Sequence, residues 1–362
     1  MKDKGAALRV LIAGGGTGGH VVPALAIGRE LRDHHGADVR FVGTARGIET
    51  KLVPEAGFPL ELVRSGQLKN VSLMTRARTM LDLPLGVRRC IGLLRQFRPQ
   101  VVVGVGGYAS GPAMIAAVLL RVPTLAYEPN AVPGLANRLV GKRVSAAAVN
   151  FAQTTQYFRN AVVTGVPVRQ AIFDIGPRPE GSAPRLLVTA GSNGAKVFNE
   201  TMPLIVARLL EAVPGLSLVH QAGTRQLEET RAAFMASGAD PARWSVEAFL
   251  TDMPAQYEAA DLVLARAGST VAELAAAGKP SLLVPFAGAA DDHQRKNAEV
   301  FADAGAAVMI LQADVTPETL LRELSRLLLD PHALAEMGAK ARTLAHPGAV
   351  EKIAEMVVGL AK

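Results

Sequence analysis

Leu8-Arg9-Val10-Leu11-Ile12-Ala13, continued by Gly14-Gly15-Gly16-Thr17-Gly18-Gly19-His20, reads as a buried strand that ends in glycines and opens a helix with apolar periodicity. A strand that passes through glycines into a helix leaves backbone N–H groups unpaired at the positive end of the helix dipole. An anion, phosphate above all, is the natural ligand there. Gly14, Gly16 and Gly19 also satisfy G-x-G-x-x-G, the dinucleotide fingerprint, a weak match by itself. A dinucleotide site places an acid at the end of the next strand to hold the ribose, and Val39-Arg40-Phe41-Val42-Gly43-Thr44 carries none. The stretch therefore points to a phosphate or nucleotide site other than NAD, with a purely structural tight turn as the competing reading.

Strand-like runs alternate with helical ones beyond this stretch. Arg40 to Val42, Leu60 to Val63, Val101 to Val105, Thr124 to Ala126 and Ala146 to Val149 follow in turn, separated by segments of helical periodicity. Between Val163 and Ala183 the character changes, with Pro167, Gly176, Pro177, Pro179 and Gly181 clustered and Pro184 just beyond. The alternation restarts at Arg185 to Thr189 and continues through Leu216 to Val219, Leu262 to Ala265, Ser281 to Val284 and Val308 to Ile310. This pattern predicts an α/β fold of two Rossmann-like, doubly wound parallel-sheet domains facing a cleft. The expected boundaries are 1–165, a linker at 166–184, and 185–362, with the last helix free to pack back on the first domain.

Composition agrees with that reading. The 362 residues exceed one ordinary core, and 49% hydrophobic with 4% aromatic content suits parallel strands buried under helices. Lys plus Arg number 39 against 32 Asp plus Glu, a formal charge of +7 that favours anionic partners. Nucleic acid is not among those expected. The single Cys90 can form no internal disulfide and reads as a helix-packing residue of a protein in a reducing compartment. The charged start Met1-Lys2-Asp3-Lys4 and the interruption by Arg9 do not read as a signal peptide. No window approaches 18 uninterrupted apolar residues, so any membrane contact is expected to be peripheral.

Two more glycine turns follow strands as the first does: Gly106-Gly107-Tyr108-Ala109-Ser110-Gly111-Pro112 and Ala190-Gly191-Ser192-Asn193-Gly194-Ala195-Lys196. Ligands of open α/β sheets bind at the carboxyl ends of strands, where these turns lie. The stretch Arg266-Ala267-Gly268-Ser269-Thr270-Val271-Ala272-Glu273 offers backbone and hydroxyl donors for a diphosphate, and Glu273, one turn in, is able to accept from a ribose diol. The competing reading is an ordinary cap with a solvated Glu. In Asp291-Asp292-His293-Gln294-Arg295-Lys296-Asn297, Gln294 is placed to bond sugar hydroxyls. No D-x-D element and no second His or Cys at ligand spacing accompanies His293, so neither metal nor cofactor is expected.

Together these residues resemble the MurG family of peptidoglycan glycosyltransferases, family 28, across essentially the whole chain. The matching segments are Gly15 to His20 with Pro23, Gly106 to Pro112, Glu128 with Asn130, Gly134-Leu135-Ala136-Asn137, Thr164-Gly165-Val166-Pro167-Val168-Arg169, the Ser192 turn, Phe249-Leu250-Thr251-Asp252-Met253, the Glu273 helix start, and Gln294 with Asn297-Ala298. The resemblance implies the GT-B fold, with an acceptor- and membrane-binding first domain and a UDP-sugar-binding second one. It implies inverting transfer of N-acetylglucosamine from UDP-N-acetylglucosamine to lipid I, undecaprenyl-diphospho-N-acetylmuramoyl-pentapeptide, giving lipid II. It places Thr17, Gly18 and Gly19 near the diphosphate or acceptor and Asn130 near the donor sugar, with Tyr108 and Asn137 also at substrate. Arg169, Ser192, Gly268, Ser269 and Thr270 fall at the nucleotide diphosphate, Leu250 presents backbone to the uracil, Glu273 holds the ribose and Gln294 the sugar hydroxyls. The chain departs from the family in having Asn193 after Ser192, Tyr127 and Pro129 around Glu128, and a helix start one residue shorter between Gly268 and Thr270.

An inverting transfer needs a proton acceptor and stabilisation of departing UDP. His20 and Glu128 are the candidate bases. His20 ends the glycine loop, and an imidazole's unperturbed pKa of about 6.5 suits the task; a helix-start His bonded to backbone is the alternative. Between the third and fourth strands Arg64, Lys69, Arg76, Arg78, Arg88, Arg89, Arg95 and Arg98 face a single acid, Asp82, with Val71, Leu73, Met74, Met80, Leu81, Leu83, Leu85 and Val87 interleaved. Such a segment suits peripheral binding to the anionic cytoplasmic surface of the cell membrane, or else is a solvated helix face. Two rival functions share the glycine loops: a GT-B glycolipid synthase using another UDP-hexose, and a non-catalytic nucleotide-sugar-binding protein.

Overall fold

The structure, a computed structural model, describes residues 7–66, 73–179, 181–191 and 193–362. Ser192 and Lys69 therefore lie outside the described residues. The chain divides into two compact units, Met1–Pro167 with Gly348–Lys362, and Val168–Pro347.

The first unit is built on a parallel sheet of β1 (Arg9–Ala13), β2 (Asp38–Gly43), β3 (Leu60–Leu62), β4 (Val101–Gly104), β5 (Thr124–Glu128), β6 (Ala146–Val149) and β7 (Ala161–Val163), in the order β3-β2-β1-β4-β5-β6-β7. The second holds β8 (Arg185–Thr189), β9 (Ser217–Gln221), β10 (Trp244–Glu247), β11 (Leu262–Ala265), β12 (Ser281–Leu283) and β13 (Ala307–Met309), ordered β10-β9-β8-β11-β12-β13 and likewise parallel. Central strands such as Val101 to Val103 and Leu262 to Ala265 are fully buried because helices cover both faces, which is why they read as unbroken apolar runs. Both sheets reverse direction of growth beside their first strand, at β1/β4 and at β8/β11. In a doubly wound sheet that is where ligands bind, beyond the carboxyl ends of the strands.

Two edge strands, β7 and β10, were not among those read from the sequence. They are three and four residues long and only partly buried, so neither composition nor alternation marks them. Residues 166–184, expected as a linker, contain the short helix Gln170–Phe173, with Ile172 and Ile175 buried. Arg342 donates to the Phe173 and Ile175 carbonyls, and Arg178 pairs with Asp261, so this segment is fastened to the second unit. The last helix, Ala349–Leu360, buries Ile353, Ala354 and Val357 in the core of the first unit, beside the helix Gly18–His35.

Candidate active site

Each switch point is flanked by two of the glycine turns. In the first unit Gly14 to Gly19 follows β1 and Gly106-Gly107 follows β4. The two turns touch: a Cβ on Gly107, whose φ is +77°, would lie 2.1 Å from the Gly15 carbonyl oxygen, so only glycine fits there. The helix Gly18–His35 starts at Thr17, which is extended and makes no side-chain cap. Gly18 and Gly19 thus begin a helix with no carbonyl one turn back for their N–H groups, as an anion site requires.

Gly16 is different. Its N–H donates to Glu49 Oε2 at 2.8 Å, while Glu49 Oε1 accepts from the Thr44 N–H and hydroxyl, both at 2.9 Å. Glu49 is 1% exposed, and a Cβ on Gly15 would fall 2.2 Å from its carboxylate. Burial pushes this carboxyl up, but the donors of Gly16 and Thr44 outweigh that and hold it below the ordinary range. The acid missing from β2 is present one helix start later, turned onto the glycine loop. The sequence reading missed it because the motif it sought lies at the strand end. Replacing Glu49 by Ala leaves the two buried Thr44 donors and the part-buried Gly16 N–H unmet and is expected to cost about 2–3 kcal/mol in urea unfolding. A carboxylate depressed in the folded state stabilises above its unfolded pKa, so the contribution should fade as pH falls below the usual carboxylate range. A midpoint identical to that of the parent protein at neutral pH would show the clamp to carry no weight.

His20 lies on the first turn of the helix with its imidazole against Gly106, where a Cβ would come within 2.8 Å of Cε1. Tyr108 is 41% exposed beside Gly16, and its carbonyl accepts from the Ser65 hydroxyl at 2.6 Å. Glu128 and Asn137, expected at substrate, are both buried and hydrogen-bonded within their own loop. Glu128 is 2% exposed; Oε1 accepts from the Asn130 backbone and side-chain N–H groups, and Oε2 from Gly134 N–H and Asn137 Nδ2, all at 3.0 Å. Burial raises its pKa although all four donors pull it down. Both oxygens are occupied, and Glu128 organises the loop after β5. Asn137, 1% exposed, also donates to the Tyr127 carbonyl and is part of the same scaffold. Asn130 stays at the rim of that loop, its amide nitrogen committed to Glu128.

In the second unit the turns after β8 and β11 flank the switch point. The helix Thr270–Ala277 begins at Ser269, which makes no cap bond, and neither the Ser269 nor the Thr270 hydroxyl has a partner among the described residues. The capping alternative thus gives way to two uncommitted hydroxyls at a helix start beside Gly268. Arg266, just before them, donates to the Val284 and Pro285 carbonyls and lies between the Phe198 and Phe286 rings, tying this turn to the exit of β12. Gln294 accepts from the Phe286 N–H at 3.0 Å and turns Nε2 towards Gly268. Leu250, 6% exposed, follows β10 in the loop closed by Asp252, which caps the helix Met253–Ala259 through the Ala255 N–H. Glu273 is half-buried and accepts from the hydroxyl of Tyr257 at 2.9 Å. Burial raises the Glu273 carboxyl, against the pull of Tyr257 and the charge of Arg169. Arg169 comes from the start of the Gln170–Phe173 helix, which packs on the helices bearing Tyr257 and Glu273. Among the described residues no group of three or more His, Cys, Asp or Glu could hold a metal ion.

Residues 10–149 match the glycosyltransferase family 28 N-terminal domain, and residues 185–353 match its C-terminal domain. The chain belongs to glycosyltransferase family 28. Among family 28 relatives, one from Anaeromyxobacter dehalogenans (strain 2CP-C) is 43% identical over 98% of this chain and 94% of its own length. One from Solibacter usitatus is 41% identical over 97% and 96%. Both bear the name UDP-N-acetylglucosamine–N-acetylmuramyl-(pentapeptide) pyrophosphoryl-undecaprenol N-acetylglucosamine transferase. A crystal structure of Acinetobacter baumannii MurG, 32% identical, superposes with a TM-score of 0.83 over 97% of this chain and 99% of that one. The family 28 architecture of two parallel, Rossmann-like sheets, GT-B, is thus that of this protein.

Proposed function

We propose that the protein transfers N-acetylglucosamine from UDP-N-acetylglucosamine to undecaprenyl-diphospho-N-acetylmuramoyl-pentapeptide, with inversion at the anomeric carbon. The observation that carries this reading is similarity at 43% identity running through both units to a relative named for that transfer. In the reaction the acceptor hydroxyl attacks the anomeric carbon as the bond to UDP breaks. His20 takes the hydroxyl proton, since Glu128 has no lone pair left for it. Arg169 and the helix start at Ser269-Thr270 offset charge on the departing diphosphate, Glu273 holds the ribose, and Gln294 bonds the sugar. Thr17, Gly18 and Gly19 bind the acceptor diphosphate. The direct test is turnover of radiolabelled UDP-N-acetylglucosamine with a short-chain lipid I analogue, in competition with UDP-glucose. Label transfer that UDP-glucose suppresses at equal concentration would favour a different hexosyl donor, and UDP binding without turnover would overturn the assignment.

The protein works, on this proposal, at the cytoplasmic face of the cell membrane as a peripheral protein. The acceptor is lipid-anchored, and no helix among the described residues is long and apolar enough to cross a membrane. On the helix Leu73–Phe97, Cys90, Leu93, Leu94 and Phe97 turn inward while Leu85, Arg88, Arg89 and Arg95 are exposed. Replacing Arg76, Arg78, Arg88 and Arg89 by Gln should weaken sedimentation with anionic vesicles by up to about 1 kcal/mol per residue, more so at low salt. Turnover of a water-soluble acceptor should persist. Vesicle binding indifferent to both the substitutions and salt would leave this helix as a solvated face.

A further inference from the structure

The hydroxyl of Tyr257 has no place in the assignments above, yet it is committed to one of their central groups. Tyr257 is fully buried on the helix Met253–Ala259, and its phenol donates to Glu273 Oε2 at 2.9 Å. Burial and the neighbouring carboxylate keep that phenol protonated far above neutral pH, so it acts only as a donor towards Glu273. Glu273 Oε1, by contrast, makes no hydrogen bond among the described residues. A half-buried glutamate, with three side-chain torsions, has several rotamers, and one fixed oxygen removes much of that freedom before a ligand arrives.

We infer that Tyr257 is a positioning residue for the nucleotide donor: by holding Oε2 of Glu273 it presents Oε1, with both lone pairs open, to the vicinal diol of the ribose. This rests on the assignment of Glu273 to the ribose. It makes the Tyr257–Glu273 pair the element that distinguishes a ribonucleotide from its 2′-deoxy counterpart, since an analogue lacking one hydroxyl leaves an acceptor of the pair unmet.

The experiment compares UDP with 2′-deoxy-UDP by calorimetry on the full chain, for the parent protein, Tyr257→Phe and Glu273→Ala. Tyr257→Phe is expected to weaken UDP about five- to tenfold and 2′-deoxy-UDP, which keeps one of the two hydroxyls, clearly less, because the lost pre-organisation serves both bonds of the diol in UDP and one in the analogue. It should also move the acid limb of UDP binding. Tyr257, from its own helix, and Arg169, from the segment packed against it, are the groups that act on Glu273, and both favour the carboxylate. Binding requires that carboxylate, so affinity falls as pH drops through its pKa. Without the phenol the pKa is higher and the loss begins at higher pH. Equal weakening of UDP and 2′-deoxy-UDP would mean general damage to the site and overturn the inference, as would no change in either. Glu273→Ala separates the two levels of the argument. If it abolishes the preference for UDP while Tyr257→Phe leaves it, Tyr257 alone is misassigned; if it leaves the preference intact, the ribose assignment of Glu273 falls and this inference with it.

Discussion

His20→Ala lowers kcat by about 10²- to 10⁴-fold and leaves UDP affinity unchanged, the span expected when a general base is lost from the transition state alone. The expectation rests on placement. His20 is the third residue of the helix that follows the glycine loop, and its ring fills the notch left by the missing side chain of Gly106. Glu128, the second candidate base, spends both oxygens on four N–H donors, and this favours His20 in the proposed role. The same packing yields an internal check. Gly106→Ala would push a methyl to within 2.8 Å of the imidazole and add strain at a φ of +86°, so it should also reduce kcat with UDP binding preserved. Steady-state kinetics with calorimetry on UDP decides the matter. A His20→Ala enzyme within a few-fold of the parent kcat would return His20 to a structural role and leave the proton to water or to a substrate group.

Glu273→Ala raises the donor KM about 10- to 100-fold, as expected for the loss of hydrogen bonds to a charged acceptor, with the fold kept. The fold survives because Glu273 lies on the partly exposed face of the helix Thr270–Ala277, whose buried face is Val271, Leu274, Ala275 and Ala276. The Tyr257 hydroxyl loses its acceptor, a cost to stability of about 1 kcal/mol or somewhat more. Glu273→Gln keeps an acceptor for Tyr257 and so separates that cost from the ligand contact. Calorimetry showing unaltered UDP affinity in both variants would remove Glu273 from the donor site.

The strands at the centre of each sheet were legible because burial on both faces demands apolar runs, and the glycine turns because only glycine tolerates loops in such close contact. The helix start after Gly268-Ser269 was legible for a related reason: a helix opening just past a buried strand announces its N–H groups in the local sequence. The family resemblance added an expected role to Arg169 that no local pattern could assign. Edge strands β7 and β10 escaped, being short and partly solvated. What only the tertiary structure decided is which polar groups are already spent. Sequence presents Glu49, Glu128, Asn137 and Tyr257 simply as polar side chains, and whether each faces a ligand or a neighbouring backbone depends on partners up to 33 residues away. A hydrogen bond is satisfied by geometry, not by order along the chain, so the pairing of Glu49 with Gly16, of Glu128 with its four donors and of Tyr257 with Glu273 became visible only in the folded molecule.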